Sequence, residues 1–235
     1  MTSILADIDF QSPLFWAILI GWLISVVLHE FAHGLVAHFG GDYTIRQRGG
    51  LTLNPLHYID PLMSILIPAA MLAMGAVPLP GGVTYIRRDL LRSPYWDSAV
   101  SLAGPLMNLL LFFACLIPLH PAIGWVNPAS TTPHTNAQVF LATMAVLQML
   151  AVILNLIPVP PLDGFQTISS YLPRDFRMRL STPPLNLFIF FVYFMILANS
   201  PLIDYFLHAL VRILLFLGYG PDGALFVVEA YFNAL

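Results

Sequence analysis

The sequence predicts an all-α membrane protein of about five or six transmembrane or re-entrant helices, with a small β-hairpin near its candidate active site. Three observations carry that expectation. The 235 residues are 58% hydrophobic and 9% charged, with a mean hydropathy of +0.81; a soluble domain carries about 25% charged residues. Long stretches (Phe10–Leu28, Pro61–Ile86, Ser98–Leu162 and Leu180–Ile203) contain no Asp, Glu, Lys or Arg. Alternating short segments around Tyr43–Leu53, split by a glycine pair, read as two strands and a turn.

Taken in order, the first apolar stretch continues as helix to about Phe39, where Gly40-Gly41 stops it. Its leader MTSILADIDF carries Asp7 and Asp9 and no Arg, unlike the cationic start of a cleaved signal peptide, so this segment is expected to stay. In the hairpin, Tyr43–Arg46 pairs with Leu51–Leu53 across Arg48-Gly49-Gly50. Pro68, Gly75, Pro78, Pro80 and Gly81-Gly82 interrupt Pro61–Ile86, which favours a re-entrant course over one straight span. Ser98–Leu162 is 65 residues long, enough for two crossings of about 20 residues and a connection. Its polar, proline-rich middle, Pro118–Asn136, places helices near 98–118 and 137–157. After Pro158, Pro160 and Pro161, Asp163 falls on irregular backbone. There it is either a surface Asp-Gly turn or a group facing a cavity. Leu180–Ile203 is another apolar segment, and Asp204–Leu235, with Arg212 and Glu229, reads as a shorter or interfacial helix and a tail. The whole chain, 1–235, reads as one membrane domain, with a core at 10–165 and C-terminal helices at 184–235.

His29-Glu30-Phe31-Ala32-His33 lies near the end of the first apolar segment. Residues four apart on a helix share a face, so both imidazoles can address one ion while Glu30 stands beside it to move a proton. Zinc suits two neutral imidazoles and a carboxylate. With 7 His and 2 Glu in 235 residues, the pattern arises by chance in roughly 0.002 chains of this composition. The plainer alternative is a helix whose histidines bond to neighbouring groups. Ionisable groups inside an apolar helix are costly unless paired, which favours a metal. All nine cationic residues are Arg, with no basic cluster suited to nucleic acid. Cys115 is alone in an apolar run, so no disulfide frame exists and it reads as a small core residue.

Two crossings between Asp97 and Asp163 put Arg87, Arg88 and Arg92 on the same side as Arg174, Arg177 and Arg179. The positive-inside rule makes that side cytoplasmic. Pro118–Asn136 has no Arg, as the opposite side should. Arg46 and Arg48 then set the first helix with its N-terminus outside and its histidines towards the cytoplasm, provided Pro61–Ile86 enters and leaves on one side.

Three motifs in order resemble the site-2 protease family of intramembrane zinc metalloproteases: HEFAH, AGPLMN (Ala103 to Asn108) and NLIPVPPLDG (Asn155 to Gly164). NPLHYIDP (Asn54 to Pro61) resembles the small bacterial branch without an appended PDZ or CBS domain. The resemblance spans about residues 20–165. It implies His29, His33 and Asp163 as ligands of one zinc ion and Glu30 as catalytic base. It implies that Asn155, Pro158 and Pro160 border the substrate as an unwound segment, and that Asn108 packs or polarises near the site. The implied substrate is a transmembrane segment of another protein in the bacterial inner membrane, reached among lipid with no nucleic acid involved. The hairpin, or Gly82–Tyr85, is expected to offer a strand edge to the unwound peptide. Two other classes compete. A membrane transporter of zinc or another cation needs no Glu between the histidines, and the 65-residue uncharged run offers it no acidic path. A membrane scaffold with structural zinc needs a fourth protein ligand, for which His57 is the nearby candidate; a capped turn suits His57 and Asp60 equally well.

Overall fold

The computed structural model describes residues 12–57, 84–127, 134–182, 184–198 and 201–234. Most of Pro61–Ile86 lies outside the described residues, so its re-entrant course is not addressed. The first helix, α1, spans Pro13–Gly40. Ser12 caps it by accepting the Leu14 N–H at 3.3 Å, and Pro13 occupies the first position, where a missing N–H costs nothing. Its 28 residues extend about 42 Å, more than the roughly 30 Å of a bilayer core. Gly41 ends it at φ 126°, a conformation that favours glycine. The Asp42 N–H then turns back to the Ala37 carbonyl at 3.0 Å.

That stop puts Asp42 at the head of the next segment. The Asp42 carboxylate accepts the Thr44 N–H at 3.1 Å and the Thr44 hydroxyl at 2.5 Å. This starts a single helical turn, α2, at Thr44–Gln47, with Ile45 buried beneath it. The expected β-hairpin over 43–54 is therefore absent. Side-chain alternation over three or four residues is a weak preference, and a local carboxylate cap overrides it.

Two long helices come next: α3, Pro94–Leu116, and α4, Asn136–Leu156. They match the pair predicted near 98–118 and 137–157. A capping box of Thr135 and Gln138 opens α4. Five shorter helices complete the described chain: α5, Asp163–Ser169; α6, Arg174–Ser181; α7, Leu185–Ala198; α8, Leu202–Phe216; and α9, Gly220–Ala234. Among the described residues, three helices are long and apolar enough to cross a membrane, four if α7 and α8 form one bent span. That is fewer than the expected five or six, one of which, Pro61–Ile86, lies almost wholly outside the described residues. The apolar run read as one segment over 180–203 is divided between α6, α7 and the start of α8, and α7 and α8 are each too short alone.

Helix α4 is the most buried of the spans and packs against α1, α3 and α9. Ile18 and Trp22 of α1, Phe112 and Leu116 of α3, Leu147 of α4 and Val227 of α9 share one core. In lipid such contacts act through close packing, since the surroundings are equally apolar. The Gly40 carbonyl accepts the Arg92 N–H at 2.9 Å, so the end of α1 and the approach to α3 meet at one end of the bundle. The start of α5 comes just after the end of α4 at that same end, where the Ser98 hydroxyl donates to the Thr167 carbonyl at 2.6 Å. The opposite end is closed by the Tyr219 hydroxyl on the Leu116 carbonyl and by Gln138 on the Trp125 carbonyl.

Candidate metal centre

Helical spacing puts His29 and His33 one turn apart on the face of α1 that meets α3, and both are buried. Their Nε2 atoms lie 3.1 Å apart. Asp163 reaches them from α5, with Oδ2 at 3.1 Å from His29 Nε2 and 3.3 Å from His33 Nε2. The route depends on the prolines: α4 ends at Leu156, the chain runs irregularly through Pro158–Pro161, and extended Leu162 delivers Asp163 as the first residue of α5. Asp97 in the first turn of α3 accepts from both Arg88 and Ser170, fastening the far end of α5.

The outer nitrogens fix which way the rings present themselves. His33 Nδ1–H donates to the Val100 carbonyl at 2.6 Å, and His29 Nδ1–H donates to Asn108 Oδ1 at 3.0 Å. Neutral rings held this way turn bare Nε2 lone pairs towards each other and towards a carboxylate oxygen. Three electron-pair donors at 3.1–3.3 Å repel unless a cation lies among them. The spacing matches the ~3.3 Å edge of a tetrahedron with 2.0–2.1 Å metal–ligand bonds. Gly104 of α3 completes the cradle, since a Cβ there would lie 2.3 Å from His33 Nε2 and 2.4 Å from His29 Nε2. The donor set fits zinc.

Glu30 is buried beside His29, and its carboxylate makes no hydrogen bond or ion pair among the described residues. Its backbone carbonyl accepts the Thr84 hydroxyl at 3.2 Å, bringing the segment Thr84–Arg87, which has no regular secondary structure, against α1. Asn108 is buried in α3 behind His29 and touches that ring. Asn155 is buried in the last turn of α4, with its amide donating to the Ala151 carbonyl at 3.0 Å. It is therefore helical rather than part of an unwound segment, because α4 persists to Leu156 before the first proline. Pro158 is exposed and Pro160 buried on the irregular stretch beyond. His57 is exposed and packs against Gly49; it does not join the three donors.

Three contributors went unread in the sequence: Gly104 as a close-approach site, the Val100 carbonyl that orients His33, and Asp97. The AGPLMN motif signals the first only as a small residue inside an apolar helix; a backbone carbonyl leaves no residue signal at all.

No protein-family model matches the chain, and no solved structure does. Curated relatives do. The Rip2 protein of Mycolicibacterium smegmatis is 37% identical over 167 residues, 71% of this chain and 61% of that protein. Rip2 of Mycobacterium tuberculosis strain H37Rv is 33% identical over 193 residues, 79% of this chain and 68% of the relative. YwhC of Bacillus subtilis is 32% identical over 215 residues, covering 91% of both chains. All three carry names that assign them provisionally as zinc metalloproteases. The chain spans about three-fifths to two-thirds of the length of the two Rip2 proteins and nearly all of YwhC.

Proposed function

We propose that this chain, which belongs to the site-2 protease family of zinc metalloproteases, hydrolyses peptide bonds within or near transmembrane segments of other membrane proteins. One observation carries the reading. His29, His33 and Asp163 converge at 3.1–3.3 Å within helices long and apolar enough for a membrane, with Glu30 adjoining. His29, His33 and Asp163 would hold the ion. Zinc so held by three protein ligands supplies Lewis acidity and lowers the pKa of a water towards 7.

The remaining work falls to the chain's own residues. The Glu30 carboxylate takes the proton of the attacking water and passes it to the amine leaving the cut bond. Val100 and Asn108 keep His29 and His33 in the tautomer that leaves both Nε2 atoms free. A helical substrate hides its carbonyls in its own hydrogen bonds, so the cut segment must unwind. Thr84–Arg87 lies beside α1 without regular secondary structure, and Ile86 makes no backbone hydrogen bond among the described residues. It supports the reading of a strand edge for the unwound peptide. The arginines gathered near the site end support a cytoplasmic active site in a bacterial inner membrane.

Co-expression with a single-span membrane protein tests the proposal. Glu30→Gln should keep its zinc while cleavage falls by about 10²–10⁴-fold. Undiminished cleavage would remove the protease reading in favour of a transporter or scaffold.

A further inference from the structure

Asp42 is a carboxylate that the zinc centre does not use, and it is fully buried. It stands just past the glycine that ends α1, where a neutral residue would close the helix equally well. Four donors converge on it. Besides the Thr44 N–H and hydroxyl, Arg48 Nη2 donates to Oδ2 at 2.9 Å and the Arg87 N–H donates to Oδ2 at 2.9 Å. Arg48 spends its other terminal nitrogen on the Tyr85 carbonyl at 2.9 Å. A buried charge is costly to keep, so its place is best explained by what it holds.

What it holds is the segment beside Glu30. Tyr85 and Arg87 are alternate residues, and each gives one backbone group to this pair. The guanidinium donates to the Tyr85 C=O and the acid accepts the Arg87 N–H. The Thr84 hydroxyl ties the segment's start to the Glu30 carbonyl. Ile86, lying between, makes no backbone hydrogen bond among the described residues. The segment is thus pinned at the active-site helix and at that helix's C-terminal stop, while the Ile86 N–H and C=O stay unpaired among the described residues.

We propose that Asp42 and Arg48 are a positioning pair, setting Thr84–Arg87 beside Glu30 so that the backbone groups of Ile86 receive substrate and thereby governing substrate affinity rather than the chemical step. The inference rests on the protease reading above. Neither residue belongs to the group of His29, His33 and Asp163, so losing either leaves the ligands in place.

The test measures binding apart from cleavage. Zinc-loaded Glu30→Gln protein in lipid nanodiscs is titrated with a fluorescent, roughly 25-residue transmembrane peptide carrying a central helix-breaking Asn-Pro step. Adding Asp42→Asn, or separately Arg48→Ala, should raise Kd about tenfold, the scale of a lost charge-assisted hydrogen bond. The two changes together should cost no more than the larger one, because they break one unit. Zinc content should stay unchanged. Arg48 is partly exposed, so Arg48→Ala folds even where Asp42→Asn does not. In the wild-type background the same variants should raise KM about tenfold and leave kcat within about twofold. Unaltered Kd in both variants, or a fall in kcat with zinc loss, overturns the pair's positioning role. The two readings separate cleanly: weakened peptide binding in a chain that never cuts refutes the protease alone, and cleavage with unaltered binding refutes the pair alone.

Discussion

Gly104→Ala adds one methyl group where α3 crosses α1, and the geometry says what that methyl meets. It would lie 2.3 Å from His33 Nε2, 2.4 Å from His29 Nε2 and 2.5 Å from His29 Cε1. An ordinary carbon contact is about 3.5 Å, so the rings or the helices must retreat by roughly 1 Å. A zinc site tolerates about 0.2 Å in its ligand distances. The helices are held at this spacing by the His33–Val100 and His29–Asn108 hydrogen bonds, so the strain falls on the rings themselves. Disturbing outer partners of zinc ligands costs about 10–100-fold in affinity; displacing the ligands should cost at least the upper end, about 100-fold. Elsewhere in a helix, Gly→Ala improves stability by up to about 1 kcal/mol. The two expectations therefore have opposite signs. Zinc content of purified protein, chelator competition for affinity and thermal unfolding of the chelator-treated form measure both. A Gly104→Ala protein that binds zinc and cleaves like the wild type would refute the role of this cradle.

The same geometry sets three other outcomes. Asn108→Ala removes the acceptor that orients His29; zinc affinity should fall about 10–100-fold by chelator competition, with the helix content in circular dichroism unchanged. The Asp42 carboxyl is held below its usual range: burial opposes this, but Thr44, the Arg87 N–H and Arg48 outweigh it. A depressed folded-state value contributes stability above the unfolded value of about 3.9 and loses it as pH falls through the lower folded value. Thermal midpoints of metal-free protein should therefore drop between about pH 4 and lower values, and Asp42→Asn should flatten that slope. Ile123 and Met178 are both exposed, near opposite ends of the bundle. In a Cys115→Ser background, an impermeant maleimide on intact cells should label Ile123→Cys at once and Met178→Cys only after lysis; the reverse pattern would invert the proposed orientation.

What was legible in the sequence is what depends on neighbours along the chain. Length without charge located α3 and α4, because a bilayer imposes about 20 apolar residues whatever the rest of the fold does. The two histidines were legible for the same reason: their shared face is a property of one helix. The hairpin was misread because alternation at Tyr43–Arg46 says nothing of Asp42, whose side chain starts a helical turn instead. Asp163 by itself could equally have been a surface turn; only the resemblance pointed it inward, since its course is set by irregular backbone after α4 and by Ser98 and Asp97 gripping α5. Gly104 and the Val100 carbonyl act through an absent side chain and a backbone atom, which composition cannot register. The same logic hides Asp42, whose partner Arg87 is 45 residues away. The metal centre is therefore divided between levels. One helix supplies two ligands and the base locally, while everything that aims them comes from α3 and α5 through contacts between segments. Substitutions in α3 and α5 that never touch an ion should still cost zinc affinity about 10–100-fold, and that makes α3 the helix in which to look for them.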